Sequence, residues 1–391
     1  MNLRKTNKIN LFNTNFILFL NIIFSPLVII LLVLIKEYEL SSYFGLVTAS
    51  AIFITQSLSA NKRQLIIFKP EKKIIDASIL FRFIFSIIII VFINSIIYFY
   101  NKAFFYNLFF LVPLLCVFWI LEIIVTKNEI NREFKNNFFL TISYIIFYLL
   151  LIYIFFSGNI YNYFSILLIC FIILLSIYIV FSLNLNFIKS FYIIKKKNII
   201  KNFDKSFLSS FSQIFCNFLW RIGIYFFVGA EKAGIFYAAF SIGSLPATIF
   251  VNTFGPYFLK MKNSFLKLLK ISFIFYLPII VFFIVVFSFD EKFFLNIIVN
   301  ELFLEIAAIS ILGSFFMLYG QYKRKEILLS NISKKNTVFI TDFYYSIILC
   351  TVVPITFFIG QIDLLKYSFL VGALINSLFY YNLSLKIKNY V

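Results

Sequence analysis

Positive charge in this chain falls into every second gap between long apolar runs, and that alternation restricts the fold more than any motif does. Stretches of about 20 mostly apolar residues, each long enough to cross the hydrocarbon core of a bilayer, occur at 14–35, 40–60, 74–99, 104–126, 138–156, 160–182, 206–228, 233–256, 271–289, 299–321, 337–359 and 364–385. The sequence thus predicts twelve spans. With 62% hydrophobic and 13% charged residues, the chain has too little charge to cover a water-soluble surface. The expected class is an all-α membrane protein.

With the N-terminus on the cytoplasmic side, 28 of the 35 basic residues lie in inner segments, with clusters at 62–73, 189–205 and 323–335. The outer side keeps Lys36, Lys102, Lys232, Lys292 and Lys366, while Arg82 and Arg221 fall inside spans. Basic residues retained on the inner side orient a multi-pass protein, so both termini are expected to be cytoplasmic. The net charge of +19 does not predict a nucleic-acid partner, because it is spread over short inner loops with no basic domain among them. Membrane lipids, and anionic ones in particular, are the expected partners of these loops.

The long basic stretch after the sixth span divides the chain into 1–188, a cytoplasmic linker at 189–205, and 206–391, with six spans on each side. Two halves with an even number of spans enter the membrane in the same direction, which is the parallel-repeat plan of many transporters. A short likeness accompanies the count: Ser42-Tyr43-Phe44-Gly45 opens the second span as Gly234-Ile235-Phe236-Tyr237 opens the eighth.

Polar residues recur at helical spacing in four of the spans. Ser210, Gln213, Asn217 and Arg221 share one face of the seventh, and Tyr237, Ser241, Ser244, Thr248 and Asn252 one face of the eighth. The first span carries Thr14, Asn21 and Ser25, and the second Ser41, Thr48, Thr55 and Ser59. Two readings fit: hydrogen bonds between packed helices, or the lining of a shared hydrated cavity. Corresponding stripes in both halves favour the cavity. Arg221 is the sharpest residue, since a guanidinium within a span faces water or a partner; anion binding competes with an ion pair or with snorkelling to the interface. For Arg82, nearer the inner boundary, the structural reading leads. Glu305 in the tenth span is the best buried-carboxylate candidate for ion coupling, whereas Glu122 and Asp342 are expected at the interface.

The chain has no His, no metal-binding cysteine spacing, no phosphate-binding loop and no nucleophile–base pair. It is therefore expected to be a transporter that needs no cofactor. Cys116, Cys170, Cys216 and Cys350 sit in apolar spans and read as small core residues. Pro26, Pro113, Pro246, Pro278 and Pro354 lie within or near spans, and Gly243, Pro246, Gly255 and Pro256 make the eighth the most bendable.

The run from Phe215 to Lys260, with Asn217, Arg221, the turn Gly229-Ala230-Glu231, Gly234, Ala239 and Pro256, resembles the polysaccharide-type (Wzx-like) flippases of the multidrug/oligosaccharidyl-lipid/polysaccharide (MOP) exporter superfamily. The resemblance implies a MATE-like fold, with two pseudo-symmetric six-helix bundles around a central cavity. The first two helices of each bundle largely line that cavity, and those are the four striped spans. It also implies a bacterial inner-membrane location, an undecaprenyl-diphosphate-linked oligosaccharide as cargo, and a polysaccharide polymerase or other glycan-assembly proteins as partners, as in O-antigen and lipopolysaccharide biosynthesis. Trp220 stands where the family often has an acid, and Phe236 where it has a Tyr. An ion-coupled exporter of amphipathic drugs and a membrane glycosyltransferase or polymerase are the competing readings.

Overall fold

The computed structural model describes residues 8–59, 63, 66, 72–100, 108–131, 133–157, 160–182, 205–251, 265, 266, 269, 300–330 and 335–388; at some helix ends, including 8–15 and 205–210, only the backbone is described. Eleven α-helices occupy them: α1 (Lys8–Leu34), α2 (Tyr38–Ser59), α3 (Lys72–Tyr100), α4 (Leu111–Asn131), α5 (Phe134–Phe156), α6 (Ile160–Ser182), α7 (Lys205–Val228), α8 (Ala230–Ile249), α9 (Glu301–Ser330), α10 (Lys335–Leu365) and α11 (Ser368–Lys388). Each coincides with a predicted span. The ninth predicted span, 271–289, and nearly all of the 189–205 stretch lie outside the described residues.

Nine of these helices are long and apolar enough to cross a membrane, which makes this a multi-pass membrane protein. The two that fall short, α2 and α8, are both striped helices, whose Ser, Thr and Gly residues dilute the apolar content. Elsewhere large apolar side chains face outward, among them Val91 and Phe99 on α3, Phe181 on α6 and Phe358 on α10. In water such a surface would drive aggregation; in a bilayer it meets acyl chains, while each helix satisfies its own backbone hydrogen bonds.

Packing groups the chain into two compact units, one taking Met1–Asn21 with Leu46–Phe218, the other Ile22–Gly45 with Leu219–Val391. The divisions fall inside α1, α2 and α7. In the first unit, Phe118, Tyr144 and Phe147 gather around Phe171, with Phe147 stacked on it at 3.9 Å. The Tyr148 hydroxyl donates to the Leu20 carbonyl and ties α5 to α1. In the second unit, α9 packs against α8 and α11, and Phe240 of α8 stacks on Phe369 of α11 at 5.7 Å.

Two expectations need correction. The tenth span does not end at 321: α9 runs to Ser330 and holds Lys323, Arg324 and Lys325 within the helix, because charges can sit in a helix when tertiary partners receive them. Pro354 lies inside α10, and the backbone leaves helical geometry at Gly360 (φ −139°, ψ 16°) and Gln361 (φ 49°, ψ −132°), just past the predicted end of that span. Cys116 and Cys216 are buried and Cys350 is half-buried, but Cys170 is exposed, since it lies on an outward face of α6. Pro113 sits in the first turn of α4, where no helical N–H bond is lost, and Pro256 and Pro278 lie outside the described residues.

Candidate functional site

The second unit contains two tight helical hairpins. Between α1 and α2 the chain turns at Lys36, whose φ is 67°, closed by Lys36 N–H to Val33 (3.1 Å) and Glu37 N–H to Leu32 (2.9 Å). Between α7 and α8 it turns at Gly229, with φ 81°, a conformation that glycine adopts without steric penalty. The two turns are followed by the same kind of contact. Ser41 Oγ lies 3.3 Å from the Ile29 carbonyl and 3.4 Å from the Gly234 carbonyl. A Cβ on Gly234 would collide with the Tyr38 carbonyl, and one on Gly45 would lie 2.5 Å from the Tyr237 ring. Residues of α2 therefore meet residues about 192 positions later in α8, at two successive levels. For Gly45 and Tyr237 that spacing equals the offset that matches Ser42-Tyr43-Phe44-Gly45 to Gly234-Ile235-Phe236-Tyr237.

Arg221 is built into this packing. Its Nη1 donates to the Gly45 carbonyl at 2.6 Å, and the guanidinium carbon lies 5.4 Å from the centre of the Tyr237 ring. Tyr237, almost fully buried, donates its hydroxyl to the Arg221 carbonyl. One turn further along α7, Tyr225 meets Tyr43 of α2, with ring centres 6.1 Å apart and hydroxyls 3.4 Å apart. A hydrogen bond from a charged donor contributes roughly 1.5–3 kcal/mol, and a stacked cation roughly 0.5–2 kcal/mol. Arg221 thus pins α2 to α7 and α8.

The remaining stripe residues separate into groups. Asn217 on α7 is exposed and Gln213 half-buried; the side chain of Ser210 and all of Asn252 and Pro256 lie outside the described residues. On α8, Ser241 is buried, and the Ser244 and Thr248 hydroxyls return to their own helix at the carbonyls of Ser241 (3.1 Å) and Ser244 (2.9 Å). Thr48 and Thr55 are buried, Thr55 bonding back to the Ala51 carbonyl at 2.8 Å. Such back-bonding satisfies a hydroxyl inside a helix without another helix or water. Asn21 accepts a hydrogen bond from the Tyr144 hydroxyl of α5. The Ser25 hydroxyl is buried with no partner among the described residues.

Arg82 is enclosed by protein partners in the first unit. It is 1% exposed and donates to the Trp119 carbonyl, to Glu122 (2.8 Å) and to Ser59 (3.3 Å), linking α2, α3 and α4 in the first unit. Glu122, expected at the interface, is its ion-pair partner. Glu305 is not buried: its carboxylate is 48% exposed and pairs with Lys366. Accepting the hydrogen bond, that carboxylate raises the Lys366 ammonium above its usual range. The buried carboxylate is instead Asp342, fully enclosed, bound by Arg324 through Nε to Oδ1 (2.9 Å) and Nη2 to Oδ2 (2.7 Å), and by the Tyr380 hydroxyl. Asp342 was expected at the interface and is enclosed instead, because α9 continues through the basic triplet 323–325 and brings Arg324 to it. No group of three or more potential metal ligands occurs among the described residues.

No protein-family model matches the sequence, and no curated protein matches it. Solved structures do share the fold. The inward-facing conformation of a multidrug resistance MATE family transporter of the MOP superfamily superposes with a TM-score of 0.58 at 13% identity, covering 96% of each chain. A MATE protein in complex with MaL6 gives 0.56 at 12% identity, over 96% of this chain and 95% of the other. The outward-facing conformation of a multidrug resistance MATE family transporter gives 0.53 at 12%, over the same shares. The chain therefore has a MATE-like, MOP-type fold over nearly its whole length.

Proposed function

We propose that the protein is an exporter that moves a polyprenyl-diphosphate-linked oligosaccharide from the inner to the outer leaflet of a bacterial cytoplasmic membrane. The fold supports transport in general. The observation that carries the choice of cargo is the charge of the four striped helices: beyond Glu39 and Glu231 in their first turns, α1, α2, α7 and α8 contain no carboxylate, and α7 contains Arg221. A lining of this kind suits a diphosphate and a hydroxyl-rich head group, whereas a cationic amphiphile needs negative charge. The sugar and diphosphate would cross in a polar path while the isoprenoid tail stays in lipid, because taking bare hydroxyls and charge into hydrocarbon is prohibitive. Gln213 and Asn217, on the same face of α7 as Arg221, supply the hydrogen-bonding groups, and the guanidinium supplies positive potential.

A second reading, an ion-coupled exporter of amphipathic drugs, is favoured by the enclosed carboxylate of Asp342 and by the multidrug transporters that share the fold. Proteoliposomes separate the two. Fluorescent polyprenyl-diphosphate oligosaccharide incorporated into the bilayer becomes accessible to an impermeant quencher or glycosidase if it is flipped, and Gln213→Ala with Asn217→Ala slows that exposure. Transport of a cationic dye down an imposed proton or sodium gradient, without glycolipid flipping, would reject the proposal in favour of the second reading.

A further inference from the structure

We infer that Arg221 acts as the clasp of an outer gate, in which α2 closes against α7 and α8, and that it is a gate-positioning residue rather than a direct ligand of the cargo. The inference rests on the transport reading but not on the identity of what is carried.

Five contacts at one end of the second unit carry it. Ser41 is fully buried between the Ile29 and Gly234 carbonyls. Gly234 admits the Tyr38 carbonyl so closely that no side chain fits there, and Gly45 does the same for the Tyr237 ring. Tyr43 and Tyr225 cover the next turn outward. Arg221 reaches from α7 to the Gly45 carbonyl while lying over Tyr237, so it engages α2 and α8 together. All of this lies within three turns of Lys36 and Gly229, the ends that the charge bias places on the outer side.

The chemistry suits a joint that opens. An interface of backbone, small side chains, hydroxyl-bearing tyrosine rings and one cation can come apart at less cost than a wholly aliphatic one. The Gly45 carbonyl is still bonded within its own helix when Arg221 leaves, and the guanidinium then meets water. A leucine-filled seam would instead resist parting.

The test uses the full-length protein in cells and in inverted vesicles, in a background where Cys116, Cys170, Cys216 and Cys350 are replaced. Ser41→Cys is treated with an impermeant maleimide from the outer side. Labelling is expected to be slow, and faster by about tenfold or more when Arg221→Gln is added, the population shift produced by losing one charge-assisted hydrogen bond. Gly45→Ala, which pushes Tyr237 away, is expected to accelerate labelling in the same direction. A reducible cross-link between Tyr43→Cys and Tyr225→Cys is expected to stop transport until it is reduced. Arg221→Lys, which keeps the charge but reaches the carbonyl with different geometry, is expected to fall between wild type and Arg221→Gln. Unchanged labelling in both Arg221→Gln and Gly45→Ala would overturn the inference, as would a cross-linked protein that transports normally. Labelling from the inner side alone would overturn the assignment of this end to the outside. The labelling arms need no cargo, so a failure of the oligosaccharide assay leaves them readable.

Discussion

Replacing Asp342 with Asn tests the energetics of the most enclosed charge pair among the described residues. The carboxylate is 0% exposed and its Arg324 partner 6% exposed, with the two nitrogen–oxygen distances at 2.7 and 2.9 Å and the Tyr380 hydroxyl as a third donor. An amide removes the negative charge and turns one oxygen into an NH2 group that points at the guanidinium. Arg324 then keeps a buried charge with no counter-charge from Asp342, beside Lys325, which is 3% exposed. Removing one partner of such a pair destabilises by about 3–5 kcal/mol, which agrees with roughly 4 kcal/mol for two unit charges 4 Å apart at an effective dielectric constant of 20. Equilibrium unfolding by denaturant in mixed micelles measures the loss. The double replacement Arg324→Met with Asp342→Leu removes both charges, so it should be less destabilising than the sum of Arg324→Met and Asp342→Leu made singly, giving a coupling energy of opposite sign to the single losses. Additive losses, or an Asp342→Asn protein within about 1 kcal/mol of wild type, would refute the account of this pair as a closed, mutually dependent unit.

Glu122→Gln should be milder, by about 1–2 kcal/mol, because Glu122 is 31% exposed and Arg82 keeps the Trp119 carbonyl and Ser59; the same unfolding measurement ranks the two variants. Gly234→Ala should destabilise by about 1–3 kcal/mol, since the added methyl meets the Tyr38 carbonyl, which moves only with the backbone; a neutral result would mean that α2 is not seated there. Stability should not change through neutral pH on account of Lys366. Its raised value in the folded state means that the pair's contribution is present below the ordinary lysine range and lost only as pH rises through the higher folded value, and melting curves of wild type and Lys366→Met across that range check this. Among the native cysteines, Cys170 should react with maleimide in detergent well ahead of Cys116 and Cys216, and mass spectrometry of the labelled peptides reads the order.

The legible part of this protein is what one dimension encodes. Apolar runs of membrane-spanning length mark eleven helices correctly, since a chain in lipid has little choice but to close its own backbone hydrogen bonds. The striped helices also stand out, because polar residues inside spans are rare enough to be seen at 3.6-residue spacing. The faint likeness between the starts of the second and eighth spans includes one pair that touches, Gly45 and Tyr237. Reading failed where a charge depends on its partner. Lys323, Arg324 and Lys325 look like a loop until Asp342 and Tyr380 are brought beside them, and Glu305 looks buried until Lys366 is found at its side.

The sequence by itself determined that the chain crosses the membrane many times, where most helices lie, and that α1, α2, α7 and α8 differ from the rest. Only the tertiary structure decided which polar groups satisfy one another: that Arg221 is spent on the Gly45 carbonyl and Tyr237, that Arg82 belongs to Glu122, and that the enclosed acid is Asp342. The reason is physical. Burial of apolar length is a local property of a segment, whereas neutralising a charge in a low-dielectric interior is a property of a pair, and pairs form across distances that linear order does not record.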